Sequence, residues 1–205
     1  MRAAHSTIVR ESRDFCTSVL DANGDTVAQA EGTPIQMNSL SSALDWISDK
    51  YGLETVKPGD AFLLNNAYEN GQHLNDIILI LPIFDADDLL IAFAGTIAHH
   101  LEVGGAMAGS NADATEIYQE GLILPSMRID FEKDLYGGPV EQIITANVRC
   151  PDVVLGDLRA QMSSVLRGKA RLLEILERYG REKFITGMAE LQDYSERRMR
   201  AVIER

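Results

Sequence analysis

Two apolar runs set the terms on which this chain folds. Ile77-Ile78-Leu79-Ile80-Leu81-Pro82-Ile83-Phe84 and the stretch from Leu89 to Ile97 are separated only by Asp85-Ala86-Asp87-Asp88. Runs of this length and composition read as buried strands. A short polar turn between two such strands makes them pair antiparallel. Folding the chain about Ala86 and Asp87 gives partner numbers that add to roughly 173, which sets position 74 opposite 99 and 76 opposite 97. The open ends of the hairpin then bring His73, Asp76 and His99 or His100 to one place. Imidazoles and a carboxylate gathered at the mouth of a rigid hairpin are the donors a divalent cation takes. Neighbouring residues of a strand point to opposite faces, so only one of His99 and His100 serves as a direct ligand.

The rest of the composition bounds the function. At 205 residues the chain is long enough for one good core with a helical appendage. The balance of 19 basic against 31 acidic residues gives −12. No basic cluster falls in the N-terminal two-thirds, which argues against a nucleic-acid groove there. No apolar stretch reaches the roughly 18 residues of a membrane span, and the first seven residues lack the apolar region of a secretory signal. Cys16 and Cys150 are far apart with no CxxC spacing. Two free thiols in a reducing cytoplasm are the expectation, with a disulfide left open. The sequence has neither a P-loop for ATP nor a GxSxG nucleophile elbow.

Along the chain, Ile8 to Asp14 is polar and ambiguous. Phe15 to Leu20 reads as a strand, Asn23-Gly24 as its hairpin turn and Thr26 to Ala30 as the partner. Asn38 or Ser39 caps a helix that Gly52 ends. Ala61 to Leu64 is a short strand, Leu122 to Pro125 is extended, and Val140 to Val148 looks helical. From Asp152 to Tyr179 the apolar residues recur with helical period. Gly156 and Gly168 interrupt that pattern at about 1 kcal/mol each. Gly180 is a C-cap, and Arg181 to Arg205 is a second helix. The predicted class is α+β: an antiparallel or mixed, hairpin-rich sheet with packed helices over residues 1–150, then a C-terminal helical pair over 151–205. A helical pair with nothing after it suggests a piece of a longer subunit.

Other residues carry chemistry beside a plainer reading. Asp14 begins a strand and is a candidate fourth ligand, or else a partner of Arg13. Glu116 and Glu120 are candidates for proton transfer, or one solvated helical face. Gly104 and Gly105 shape a loop that a substrate can approach closely. Arg149 and Arg159 have the fork geometry to hold a substrate carboxylate, or to make internal ion pairs.

Six stretches, taken in order, resemble the hydantoinase B family. They are Arg13-Asp14-Phe15, Gly71-x-His73-Leu74-x-Asp76-Ile77, Ala98-His99-His100-x-x-Val103-Gly104-Gly105, Thr115 to Gly121, Asn147-Val148-Arg149 and Gly156-Asp157-Leu158-Arg159-Ala160-Gln161. That family includes N-methylhydantoinase B subunits, the matching half of 5-oxoprolinases, and alpha-type subunits of acetone and acetophenone carboxylases. The resemblance implies a metal-dependent hydrolase subunit that opens cyclic amides such as hydantoin, N-methylhydantoin or 5-oxoproline. It implies a divalent metal (zinc, manganese or iron) on Asp14, His73, Asp76 and His99; Glu116 and Glu120 are the catalytic candidates beside it, read from their place in the chain. Substrate contacts fall to His100, Gly104, Gly105 and Arg149. It implies a hetero-oligomer with an A-type partner subunit that carries the ATP site where ATP is used, so that this chain alone is inactive. A ketone carboxylase subunit, or a non-catalytic assembly module that docks through residues 152–205, are the alternatives. The chain departs from the family pattern at Asn66-Ala67, usually Asp-Pro, at Gln36, often His, and at Glu102, often Asp.

Overall fold

The computed structural model describes residues 3–30 and 32–204. Six strands form one antiparallel sheet in the order β2-β1-β5-β4-β3-β6. They are β1 (Phe15–Asp21), β2 (Thr26–Gln29), β3 (Asp60–Leu64), β4 (Asp76–Phe84), β5 (Leu90–His99) and β6 (Met127–Asp130). The helices are α1 (Ser39–Tyr51), α2 (Phe131–Leu135), α3 (Pro139–Asn147), α4 (Pro151–Tyr179) and α5 (Arg181–Ile203). The two apolar runs are the central pair, β4 and β5, buried on both faces by helices. That is why they are continuous rather than alternating in hydrophobicity.

The two faces have separate cores. Cys16, Leu20, Ile78, Ile80, Phe93 and Ile97 pack beneath Leu40, Leu44 and Ile47 of α1. Ile77, Leu79, Leu81, Ala92 and Ala94 pack against Val154, Leu158, Met162 and Val165 of α4. The start of α4 coincides with the expected 150/151 boundary, yet its buried face belongs to the same core as the sheet. Gly156 and Gly168 do not break this helix, which runs unbroken for 29 residues. A Cβ at Gly168 would meet the Ala94 Cβ at 3.1 Å and one at Gly156 would meet the His5 ring at 2.2 Å. Glycine at these places trades helix propensity for close approach.

The register of the central hairpin differs from the expectation by two residues. Asp76 lies opposite His99, not opposite Ile97. The loop centres later than Ala86, because Asp85 folds it: its Oδ1 accepts the N–H groups of Asp87 and Leu89, and Asp88 turns left-handed at φ 58°. A bulge between Ile83 and Phe84 adds the rest. An even shift leaves every side chain on its face, so the grouping of ligands survives.

Other differences are local. Ile8 to Ser12 forms one wide π-helical turn. β6 and α2 were not expected; the single alternating stretch Met127 to Asp130 is an edge strand too short for a sequence pattern. Asp130 then caps α2, accepting from the N–H groups of Glu132 and Lys133. Both cysteines are free, Cys16 buried and Cys150 exposed. Among the described residues no helix is long and apolar enough to cross a membrane.

Candidate metal centre

Three adjacent strands end at one corner of the sheet. Along β1, β5 and β4, Cys16, Ile97 and Ile78 share the α1 face. With a side-chain period of two, Asp14, His99 and Asp76 extend those same columns past the edge of the core. The amide of His99 donates to the carbonyl of Asp14 at 3.0 Å, which continues the β1–β5 ladder to the ligands themselves. His73 comes from the tight turn before β4, where the Asp76 N–H closes back on the His73 carbonyl at 2.8 Å.

Their polar atoms converge. His73 Nε2 lies 3.0 Å from Asp76 Oδ2. His99 Nδ1 lies 3.1 Å from His73 Nε2, 3.3 Å from Asp76 Oδ1 and 3.8 Å from Asp14 Oδ2. One donor atom from each of His73, Asp76 and His99 falls within 4.8 Å of the others. Asp76 is buried and His99 nearly so, whereas the His73 side chain is 38% exposed and forms the open side. Gln36, in the turn that leads into α1, donates its amide to Asp14 Oδ1 at 2.9 Å and to Asp76 Oδ1 at 3.3 Å. It ties the two carboxylates together.

Electrostatics follow from this crowding. The hydrogen bond to Asp76 holds the His73 imidazole above its ordinary pKa, with the nearby charges of Asp76, Glu120 and Asp14 adding to it against the opposing effect of burial. Burial pushes Asp76 up, but the hydrogen bonds from His73 and His99 outweigh it and leave the carboxyl below the usual range.

The donor set fits a divalent cation. Two ring nitrogens and the Asp76 carboxylate face one point, with the Asp14 carboxylate beside them, and these groups have more lone pairs than protons to share. Metal–ligand bonds of roughly 2.0–2.2 Å put neighbouring donors a little over 3 Å apart in a tetrahedral shell, close to the spacings seen. The buried Gln36 Oε1 has no partner, one more acceptor among acceptors. Ser110 Oγ sits 3.3 Å from His99 Nε2. It can accept a hydrogen bond from an Nε2–H, the tautomer that leaves Nδ1 bare toward the cluster.

A family model described as hydantoinase B/oxoprolinase matches residues 1–205. The chain belongs to the hydantoinase B/oxoprolinase family. It is 31% identical over 193 residues to 5-oxoprolinase 1 of Arabidopsis thaliana, spanning 87% of this chain and 15% of that protein. It is 28% identical over 203 residues to caprolactamase subunit beta of Pseudomonas jessenii, spanning 98% of this chain and 34% of that subunit. The crystal structure of the ATP-dependent caprolactamase from that organism shares the fold with a TM-score of 0.82 over 96% of this chain and 35% of that chain, at 28% identity. A nucleotide-free structure of acetone carboxylase gives a TM-score of 0.78 at 21% identity, over 90% of this chain and 25% of that one, a likeness of fold. The chain therefore spans about a third of the caprolactamase subunit.

Within this member of the hydantoinase B/oxoprolinase family, the other candidate residues fall in different places. Glu120 lies near enough to His73 to raise its pKa, while exposed Glu116 opens the helical turn Ile117–Gln119. Gly104 bridges Gly121 across the loop, which sets Gly104 and Gly105 against the Glu120 segment. His100 is fully buried on the α4 face, with Nε2 2.8 Å from Gln161 Oε1. Burial holds its imidazolium down. Arg149 is also engaged internally, with Glu102 at 3.1 Å and the Gly105 carbonyl at 2.6 Å. Glu102 in turn accepts from the N–H groups of Gly104, Arg149 and Cys150. A buried carboxylate needs such partners, so this pair ties the glycine loop to the end of α3. Arg159 pairs with Glu141. Gln36 is the residue that the reading of spacing missed as a site group. Its only signal was that it departs from the family pattern.

Proposed function

We propose that this chain supplies the metal-bearing part of a cyclic-amide hydrolase subunit of the hydantoinase and 5-oxoprolinase type. The observation that carries the reading is the meeting of His73, Asp76 and His99 around one point, with Asp14 beside them. These four residues would hold zinc, manganese or iron. Such an ion, when bound, serves as a Lewis acid toward a lactam or imide carbonyl and lowers the pKa of water.

The chain's own groups do the remaining work. Asp14 and Asp76 supply the negative charge that favours a dication, and Gln36 keeps their oxygens turned inward. The exposed edge of His73 leaves a way in for substrate. Glu120, whose charge reaches His73, is the group assigned to carry a proton, with exposed Glu116 as the alternative. The loop at Gly104 and Gly105 offers backbone rather than side chain to a flat ring. ATP, where used, would act through an A-type partner subunit. The caprolactamase relative is itself named as a subunit and described as ATP-dependent.

The test is coexpression with an A-type subunit, followed by assay on hydantoin, N-methylhydantoin, 5-oxoproline, caprolactam, and acetone with bicarbonate, with and without ATP and after chelation. Ring opening that chelation abolishes and added metal restores is the expected result. Ring opening indifferent to chelation contradicts the metal role. Turnover of acetone with bicarbonate alone points to the carboxylase alternative, and an inert complex to the assembly module.

A further inference from the structure

The segment Gly156-Asp157-Leu158-Arg159-Ala160-Gln161 lies on α4, across the sheet from the ligand cluster, and the function above leaves it without a task. Its contacts are specific. Gln161 is 3% exposed and spans two strands. Its Nε2 donates to the carbonyl of Ile77 on β4 at 2.8 Å, and its Oε1 meets His100 Nε2, just past β5, at 2.8 Å. Ile77 follows Asp76, and His100 follows His99. The amide therefore grips the two strands one residue beyond each of the two most buried ligands. Because Gln161 Nε2 is the donor to Ile77, its Oε1 is the acceptor, and His100 carries its proton on Nε2.

One helical turn earlier, Asp157 Oδ1 accepts the N–H groups of His5 and Ser6 at 2.7 and 3.1 Å. Ser6 Oγ then accepts from Val9 N–H at 3.2 Å, inside the turn that delivers Asp14 to the site. Gly156 leaves room for the His5 ring. Side chains four apart share one helix face, so a single stripe of α4 holds the N-terminal arm, β4 and β5 together.

We propose that Gln161 and Asp157 are positioning residues for the metal centre: from the far face of the sheet they fix the spacing among the segments that carry Asp14, Asp76 and His99. The inference rests on the reading of that cluster as a cation site, but the geometry it concerns exists without the ion. Outer partners of metal ligands typically change affinity by about 10–100-fold when removed. These act one residue further out, so about ten-fold is expected.

The experiment compares wild type with Gln161→Met, which keeps the length of the side chain but loses both polar contacts, with Gln161→Glu, which keeps only the acceptor, and with Asp157→Ala. Leu172→Ala, in the core of the same helix, is the control for general destabilisation. Histidine-ring NMR of the metal-free protein and titration with cobalt(II), followed by its visible absorption, are read on each variant. Gln161→Met is expected to shift the His73 and His99 ring signals and to weaken cobalt binding about ten-fold, with Gln161→Glu in between. Asp157→Ala should shift the His99 ring signals and weaken cobalt binding about ten-fold, and Leu172→Ala should change neither readout; an Asp157→Ala variant that moves neither removes Asp157 from the proposal. Unmoved ring signals in Gln161→Met, or equal shifts in Leu172→Ala, overturn the proposal. If wild type binds no cobalt while Gln161→Met still moves the rings selectively, the positioning stands and the cation reading fails.

Discussion

At the scale of single residues, the cluster is governed by competition between a cation and a proton. The contact with Asp76 lifts the His73 pKa above its ordinary value of 6.5, so below that raised value a metal must displace a proton from His73. Metal affinity should therefore fall as pH drops below that raised value, by about ten-fold per pH unit for one displaced proton; titration calorimetry at two or three pH values checks it. The metal-free protein behaves in the opposite sense. The raised His73 pKa contributes stability that is complete below the unfolded value near 6.5 and lost as pH rises through the folded one. The lowered Asp76 pKa contributes stability that is present above the unfolded value of 3.8 and lost as pH falls through the folded one. Thermal unfolding without metal should thus show this contribution at its fullest between those two unfolded values, and added metal should move the optimum upward. Gln36→Ala, which unties Asp14 from Asp76, should weaken metal binding about ten-fold with little loss of fold, measured by the same titration.

Elements explain why some of this could be read from residues and some could not. The central hairpin announces itself because two uninterrupted aliphatic runs have few other places to go than the middle of a sheet. Its length fixed which face each side chain takes even though the turn misplaced the register, since a two-residue slip preserves parity. That His99 and His100 face opposite sides follows from strand alternation, but the partner of His100, Gln161 of α4, lies 61 positions away and no local pattern announces it. The same holds for Arg149, whose internal partner Glu102 is 47 positions away. The loop they hold yields a prediction at this scale. Gly104 adopts φ +83°, and a Cβ there would lie 1.9 Å from the backbone oxygen of Asn147. Gly104→Ala should cost about 3 kcal/mol, combining the left-handed penalty with overpacking against backbone that cannot yield. Denaturant unfolding measures it, and a neutral result would mean the loop has slack the geometry denies.

For the whole molecule, sheet and helices form a frame whose one polar corner is built by the ends of β1, β5 and β4 together. No pair of those strands holds all four residues, so the proposed centre depends on all three. The chain spans about a third of the caprolactamase subunit it matches, and full turnover is expected only with an A-type subunit present; coexpression assays compare the chain alone with the complex. The most direct test of the central claim needs no partner. Metal content after equilibrium dialysis against zinc or manganese should reach one ion per chain in the wild type, and fall to background in His73→Ala and His99→Ala while circular dichroism stays unchanged. Wild-type protein that retains no ion, or histidine variants that retain as much, would contradict it.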